Sequence, residues 1–376
     1  MAGIYIHIPF CKQACHYCDF HFSTQLSSKP KLVESICLEL ILQKDYLGGE
    51  KIETIYFGGG TPSLLSEAEL RAIVETLSTH FTITASPEIT LEANPDDLSD
   101  TTLSVLKGAG INRLSIGIQS FDNSILKFLN RAHSSSDALN SVKAARQFGF
   151  ENISIDLIFA IPGQSPDQWA KNIRTAIALA PEHISCYSLT IEEKTVFGNW
   201  QKKGKLIAET EEGAAMQMEM LMDLLESAGF EQYEISNFAK PRFRSRHNSN
   251  YWHQKKYLGI GPGAHSFNLT SRQFNVRNNW AYINSMAQGI VPYERETLTR
   301  ANKINEYIMT SLRMAAGCDL DFLKSTYQYN LLAESASQLN EFIQNGLLNL
   351  SNEHLFLTRK GKLIADKIAG DIFVEE

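Results

Sequence analysis

Short apolar segments alternate with longer amphipathic segments along the first half of the chain, and this alternation is the strongest constraint on the fold. The apolar segments read as strands and cover residues 3–8, 53–57, 88–93, 112–118, 152–159 and 183–189. Between them, apolar residues recur three and four positions apart, as Leu70, Ile73 and Leu77 do, which predicts helices. This order predicts βαβ units and a parallel sheet in an α/β fold. Six units fall short of a complete eight-unit barrel, so an open six-unit barrel and a doubly wound sheet both fit.

The rest of the chain predicts two further regions beyond a core domain at residues 1–235. Residues 236–296 lose the alternation and contain a polar, strongly basic stretch, so we predict a connecting segment. Residues 297–376 turn helical, then give two short strands, LLNLS and HLFLT, and a last helix, which predicts a helical, winged-helix-like domain. Residues 300–376 contain eight basic and ten acidic residues, so packing or partner docking is a better prediction for this domain than DNA binding.

Charge and hydropathy narrow the type of protein. The formal net charge of the 376 residues is −7, which disfavours a nucleic-acid-binding protein. The start, MAGIYIHIPFCKQ, has no basic segment followed by a long apolar run, as a secretory signal would. The longest apolar stretches are about half the ~20 residues of a membrane helix. We therefore expect no membrane insertion and a reducing cytoplasm, where clustered cysteines suit metal binding better than disulfides.

Three of the six cysteines, Cys11, Cys15 and Cys18, follow the first predicted strand with Cys-x-x-x-Cys-x-x-Cys spacing. Three kinds of site fit this spacing. A structural zinc site would take a fourth ligand from one of the nearby histidines, His7, His16 and His21. A redox pair formed by Cys15 and Cys18 would leave Cys11 unexplained. A 4Fe–4S cluster held by three thiolates would leave one iron free to bind a small molecule.

Other candidate site residues follow the later strands, where parallel α/β folds place their ligands. Residues 57–62, FGGGTP, are either a tight turn or a place where backbone approaches a ligand, since glycine permits both. Glu92, Gln119 and Asp156 lie near the carboxyl ends of strands, and Arg131 follows a short helix. Taken singly, each of these is either a satisfied core group or a surface charge, whereas together they suggest a ligand site.

With its flanks, YIHIPFCKQACHYCDF, the cysteine motif resembles the radical S-adenosylmethionine superfamily, and within it the oxygen-independent coproporphyrinogen III oxidase family. The resemblance extends over nearly the whole chain. It implies an incomplete (β/α)6 radical-SAM barrel with a C-terminal helical, winged-helix-like domain, a 4Fe–4S cluster on Cys11, Cys15 and Cys18, and S-adenosylmethionine on the open iron. The residues that it implies around S-adenosylmethionine are Tyr5, Tyr17, Gly58, Gly59, Gly60, Thr61, Glu92, Gln119, Arg131 and Asp156, and, on a looser alignment, Thr190.

Two departures from the oxidase pattern put porphyrinogen decarboxylation in doubt. Phe20 stands where the oxidase has a fourth cysteine, and the first strand starts at residue 3 without the oxidase's N-terminal extension. Instead, residues 247–252, HNSNYW, match the His-Asn-x-x-Tyr-Trp motif of the HemW-type haem chaperone branch. The resemblance therefore implies haem as a ligand.

The same segment offers groups that suit haem. His247 is the leading candidate contact, with His253 and His265 as competitors, and a surface loop with a satisfied histidine is the alternative interpretation. Basic residues that could pair with haem propionates concentrate around it, namely Lys240, Arg242, Arg244, Arg246, Lys255 and Lys256.

The sequence thus predicts a haem chaperone that binds haem and delivers it to an acceptor protein, with an electron donor as a further partner if S-adenosylmethionine is cleaved. Whether it is also an enzyme stays open, with a carrier without catalysis favoured. The alternatives are a radical enzyme acting on a porphyrinogen and a zinc-bearing interaction scaffold without redox chemistry.

Overall fold

The computed structural model describes residues 1–375 and contains the predicted parallel sheet. All six predicted strands are present and pair in sequential order. A doubly wound sheet would reverse its strand order near the middle, so the sequential order identifies an incomplete (β/α)6 barrel. The strands are β1 (Ala2–Ile8), β2 (Ile52–Gly59), β3 (Ile83–Ala93), β4 (Arg113–Gln119), β5 (Ile153–Phe159) and β6 (His183–Ser188).

Each strand has one apolar face and one face rich in polar groups. On β2, Ile55 and Phe57 join the large apolar core that packs against the surrounding helices, whereas Thr54 and Tyr56 point into the barrel. The neighbouring strands repeat this alternation, so the barrel interior is lined with hydroxyl, carboxyl, guanidinium and imidazole groups. A site inside the barrel is therefore polar but shielded from solvent.

The helices that cover the barrel begin at well-defined caps. Ser66, Ser134 and Ser165 each start a helix with a capping box, in which the serine hydroxyl and a side chain three residues later satisfy free backbone amides. The helices of this half are α1 (Lys29–Leu42), α2 (Glu67–His80), α3 (Asp100–Gly108), α4 (Asn123–Phe128), α5 (Ser135–Gln147), α6 (Pro166–Ala178), α7 (Val196–Lys202) and α8 (Glu211–Ser227).

The segment 236–296, predicted as a connection, extends the sheet at both of its edges. One of its strands pairs parallel to β1 and leads into three antiparallel strands, while another pairs antiparallel to β6. The elements from the end of α8 to residue 297 are β7 (Glu231–Glu234), β8 (Asn237–Ala239), α9 (Arg246–Trp252), β9 (Tyr257–Ile260), β10 (His265–Phe267), β11 (Ser271–Asn275), α10 (Asn279–Met286) and β12 (Tyr293–Thr297). The sheet has twelve strands, in the order β12-β11-β10-β9-β1-β2-β3-β4-β5-β6-β8-β7.

The C-terminal region forms a second apolar core of helices and a three-stranded antiparallel sheet, as the prediction of helices followed by a hairpin requires. Its elements are α11 (Arg300–Arg313), β13 (Cys318–Asp319), α12 (Leu320–Tyr327), α13 (Leu331–Glu334), α14 (Ala336–Gln344), β14 (Leu348–Ser351), β15 (His354–Leu357), α15 (Arg359–Lys362) and α16 (Ala365–Asp371).

The two ends of the large sheet are protected in different ways. Strand β12 is an edge strand whose five residues are all exposed and include Glu294, Arg295 and Glu296. At the other end, the C-terminal region touches β7, where Glu234 forms an isolated β-bridge with Met314. Across residues 1–375, no helix combines the length and the hydropathy that crossing a membrane requires.

Candidate functional site

The three clustered cysteines lie on a closed loop at the carboxyl end of β1. The loop is pinned at its base, because Cys11 N donates to the Ser23 carbonyl at 3.0 Å and Ser23 N donates to the Pro9 carbonyl at 2.8 Å. All three thiols are free and partly exposed. The loop thus carries all three thiols at the rim of the barrel.

The glycine turn after β2 packs directly beneath this loop. Gly59 has a φ of +106°, and a Cβ there would stand 2.4 Å from the His7 ring. A Cβ on Gly60 would stand 2.7 Å from the backbone of Ile8 and Phe10, and Gly60 N donates to the Ile8 carbonyl at 2.9 Å. These two glycines therefore allow close packing at the start of the cysteine loop, and their role toward a ligand stays a prediction.

Arg131 connects the cysteine loop to the strand ends. Its Nη1 donates to Cys15 Sγ at 3.3 Å and to the Tyr17 hydroxyl at 3.5 Å. Its Nη2 donates to Asn94 Oδ1 at 2.6 Å and to the Gly117 carbonyl at 2.7 Å. Burial alone would lower the pKa of Arg131, but Tyr17 and Cys15 outweigh it and raise that pKa. The guanidinium therefore places a fixed positive charge beside the Cys15 thiol.

Two predicted carboxyl groups, Glu92 and Asp156, lie inside the barrel below this rim. Glu92 accepts from the Tyr56 hydroxyl at 2.8 Å and from Gly59 N at 3.1 Å. Burial raises the pKa of Glu92 to about 7, and the negative charge of Asp156 contributes to this rise. Burial also raises the pKa of Asp156, to about 6. Both carboxyls can therefore change protonation near neutral pH.

The other residues implied for S-adenosylmethionine are divided between the strand ends and the barrel interior. Thr61 is buried and accepts from Asn94 Nδ2 at 3.2 Å, which links the glycine turn to Arg131. The Tyr5 hydroxyl lies 3.1 Å from His7 Nδ1 within the barrel, and Gln119 ends β4 with a φ of +65°. Thr190 follows β6 and is exposed.

The histidines proposed as a fourth zinc ligand already have hydrogen-bonding partners. His7 Nε2 lies 2.9 Å from the His21 carbonyl, and His21 Nε2 lies 2.7 Å from Asn279 Oδ1. His16 Nδ1 lies 3.0 Å from the Phe128 carbonyl. Throughout the part of the chain that the structure describes, no three His, Cys, Asp or Glu side chains group closely enough to bind one metal ion.

His247 lies far from the cysteine loop, at the opposite end of the barrel. Its Nδ1 is 2.8 Å from Thr54 Oγ1 and its Nε2 is 2.9 Å from the Tyr251 hydroxyl, so both ring nitrogens are engaged. The residue is 2% exposed, and burial lowers the pKa of His247 to about 3. His247 as a haem contact stays a prediction; in this arrangement, binding an iron through either ring nitrogen would require that nitrogen to give up its present hydrogen bond.

Several of the basic residues predicted to meet haem propionates are already paired with carboxylates of the barrel. Lys255 Nζ lies 2.8 Å from Glu53 Oε1, and Lys256 Nζ lies 2.8 Å from Glu50 Oε1. Arg246 also reaches Glu53, at 3.5 Å, and Arg244 pairs with Glu231 at 3.0 Å. The dense positive charge in the sequence is therefore largely balanced in the folded chain.

The sequence prediction missed two residues of this region. Asn94 joins Arg131 to Thr61, and its position directly after β3, in the turn sequence Asn-Pro, was an available signal. Arg113 is 1% exposed at the start of β4 and contributes to the electrostatics of Asp156, Glu92 and His247. An arginine beginning an otherwise apolar strand was the signal there, since such a charge is rarely buried without a purpose.

Comparison with known proteins places this geometry in a family. The profile of the radical SAM superfamily matches residues 5–176, and that of the HemN C-terminal domain matches residues 298–364. Heme chaperone HemW of Bacillus subtilis is 38% identical over 373 residues, covering 98% of both chains. Heme chaperone HemW of Escherichia coli is 32% identical over 380 residues, covering 100% of this chain and 98% of that one.

A solved structure shares the same overall fold. Coproporphyrinogen III oxidase (HemN) from Escherichia coli, described as a radical SAM enzyme, superposes with a TM-score of 0.87 at 21% identity. The match covers 99% of this chain and 90% of that chain. The match extends through both the barrel and the C-terminal region. The two proteins therefore share the fold of both regions.

Proposed function

Because this chain belongs to the HemW family of radical S-adenosylmethionine proteins, we propose that it is a haem chaperone that binds haem and delivers it to an acceptor protein. The observation that carries this proposal is the 38% identity to a heme chaperone over 98% of both chains. The acceptor protein and an electron donor are the further partners, and the cytoplasm is the proposed compartment.

The cysteine loop is the proposed site of a 4Fe–4S cluster, with Cys11, Cys15 and Cys18 as its ligands and S-adenosylmethionine on the fourth iron. Such a cluster, once reduced, can supply an electron to the sulfonium of S-adenosylmethionine. The donor set fits this cofactor, since the three thiols are free and Arg131 donates a hydrogen bond to Cys15.

The rim residues are proposed to orient S-adenosylmethionine. Arg131 Nε is buried without a partner in residues 1–375, which leaves a donor for the cofactor's carboxylate. Glu92 and Asp156 supply acceptors for ribose hydroxyl or amino groups, and Tyr17 adjoins Arg131. The remaining residues proposed for this site are Tyr5, Gly59, Gly60, Thr61 and Gln119.

The cluster proposal is tested by anaerobic reconstitution with iron and sulfide. We expect about four irons per wild-type chain and a broad visible absorption band, and we expect Cys15→Ala to lose most of both. Cys37→Ala is the matched control, because Cys37 is a partly buried thiol on α1 outside the loop. One zinc and no iron in the wild-type protein would contradict the cluster and support the zinc scaffold.

The chaperone proposal is tested by haem binding and by haem transfer. Wild-type protein should bind one equivalent of haem and pass it to a haem-free acceptor enzyme, restoring that enzyme's activity. A parallel assay with coproporphyrinogen, reductant and S-adenosylmethionine should give no turnover. Turnover without haem transfer would instead support a radical enzyme acting on a porphyrinogen.

A further inference from the structure

A cleft of about 400 Å³ opens between the end of α9 and the C-terminal region. The α9 side contributes Trp252 and His253, and the C-terminal side contributes Lys303, Tyr307, Met314 and Phe322. The cleft therefore lies at the end of the HNSNYW motif and outside the barrel, and His247 does not line it.

The C-terminal wall of this cleft is aromatic. The rings of Tyr307 and Phe322 lie 4.5 Å apart between centroids, and Phe322 meets Tyr327 edge-on at 5.8 Å. Phe322 is 37% exposed, although a phenylalanine normally packs away from water. Flat, partly exposed aromatic surfaces of this kind suit a planar apolar ligand.

His253 offers this cleft an available imidazole. The residue is exposed, and its ring makes no hydrogen bond or ion pair within residues 1–375, in contrast to His247. A neutral imidazole has one nitrogen lone pair that can bind a metal ion. The thioether of Met314 lines the same cleft as a second soft donor.

The cleft also carries groups that suit an anionic ligand. Lys303 has no ion pair among the described residues, whereas Lys255 and Lys256 are held by Glu53 and Glu50. The Trp252 Nε1 donor is buried with no acceptor in residues 1–375. Both groups can donate hydrogen bonds to carboxylates.

From this combination we infer that the cleft between α9 and the C-terminal region is the haem site, with His253 as an axial ligand of the iron. An aromatic wall, a free imidazole, a thioether and an unpaired ammonium together match the ring, the iron and the propionates of haem. The inference rests on the proposed chaperone function, which it extends by naming the site.

The test is a titration of the full-length protein with ferric haem, followed by the Soret absorption. His253→Ala should weaken haem binding at least about tenfold and shift the Soret band, since an axial ligand is lost. His265→Ala is the matched control, because His265 is also exposed and its ring also lacks a hydrogen bond in residues 1–375, yet it lies outside the cleft. The control should bind haem like the wild type.

A second variant blocks the cleft without removing a ligand. Thr326 is exposed on α12 and lines the cleft, so Thr326→Trp should fill the space and weaken haem binding while circular dichroism stays unchanged. Wild-type affinity and spectrum in both His253→Ala and Thr326→Trp would overturn the cleft and leave the chaperone function standing. A wild-type protein that binds no haem would overturn the chaperone function itself.

Discussion

The surroundings of His247 determine whether its imidazole can be protonated. Its ring stacks on Tyr56 with centroids 5.0 Å apart and lies between the hydroxyls of Thr54 and Tyr251. In water such an imidazole takes up a proton near neutral pH, whereas here protonation would add a charge to a site that water does not reach. His247 therefore acts as a neutral structural link between the HNSNYW segment and the barrel.

The buried state of His247 predicts a specific pH dependence of stability. Because its pKa falls from 6.5 to about 3 on folding, only the unfolded chain is protonated between these values, and stability is lost as the pH falls through this window. In His247→Gln this titration is absent. The stability advantage of wild type over His247→Gln should therefore shrink as the pH is lowered from about 7 to about 4.

Urea unfolding of both proteins at several pH values measures this advantage. A difference in the free energy of unfolding that stays constant across the range would show that His247 is not held neutral in the fold.

For single residues, the sequence is most informative where position along a strand reports position in space. Glu92 was predicted from its place near a strand end, and the structure brings its carboxyl into contact with Gly59 of the glycine turn. The sequence could not show how deeply the His247 ring is buried, because HNSNYW follows no predicted strand. The ion pairs of Lys255 and Lys256 were equally invisible, because their partners Glu53 and Glu50 lie about 200 residues away.

At the scale of elements, α9 closes the N-terminal end of the barrel. The helix packs against β1 and β2, and its first amides are bound by a side chain from β3. Glu88 Oε2 accepts from Arg246 N at 3.0 Å and Glu88 Oε1 accepts from His247 N at 2.9 Å. A carboxylate at a helix N-terminus satisfies free donors and complements the helix dipole.

Removal of this carboxylate should loosen the closure of the barrel. Glu88→Ala leaves two amides of α9 without their acceptor, which should lower the free energy of unfolding by about 2 kcal/mol. Glu67→Ala is the control, because Glu67 is an exposed residue of α2 that pairs with Arg71 one helical turn away. Equal and small losses in the two variants, measured by urea unfolding, would mean that Glu88 does not hold α9.

Element-level prediction depended on the length of the element. The six strands of the barrel were predicted because each carries enough β-branched and apolar residues to stand out. Strands β7 to β12 are three to five residues long, and several of them, such as YERET in β12, contain little apolar signal. They form because the edge strands of the barrel have unpaired backbone N–H and C=O groups. This pairing depends on the folded barrel and cannot be read from the local sequence.

At the scale of the whole molecule, polar contacts fasten the C-terminal region to the barrel. Arg313 lies 3.7 Å from the buried Glu234 and 5.2 Å from the centre of the Trp252 ring, so it touches β7 and the end of α9 together. Burial raises the pKa of Glu234, and Arg313 opposes that shift. Arg272 of β11 also pairs with Glu306 of α11, at 3.0 Å.

Loss of the Arg313 charge should therefore lower the free energy of unfolding. Arg313→Met keeps most of the side-chain volume but leaves Glu234 buried without its cation, which should cost about 3 kcal/mol of stability. Thermal or urea unfolding measures the loss, and Arg71→Met, which breaks only an exposed pair, should change stability by less than about 0.5 kcal/mol. A comparably small effect in Arg313→Met would show that this contact does not fasten the two regions.

The two protected edges of the sheet affect whether the protein aggregates at high concentration. A second copy adding a strand beside β12 would have to strip water from Glu294, Arg295 and Glu296. Beside β7, the C-terminal region is already bonded, since Ala315 N donates to the Tyr233 carbonyl at 3.0 Å. Fibril growth by strand addition is thus opposed by hydration at one edge and by occupancy at the other, even though the barrel itself is left open.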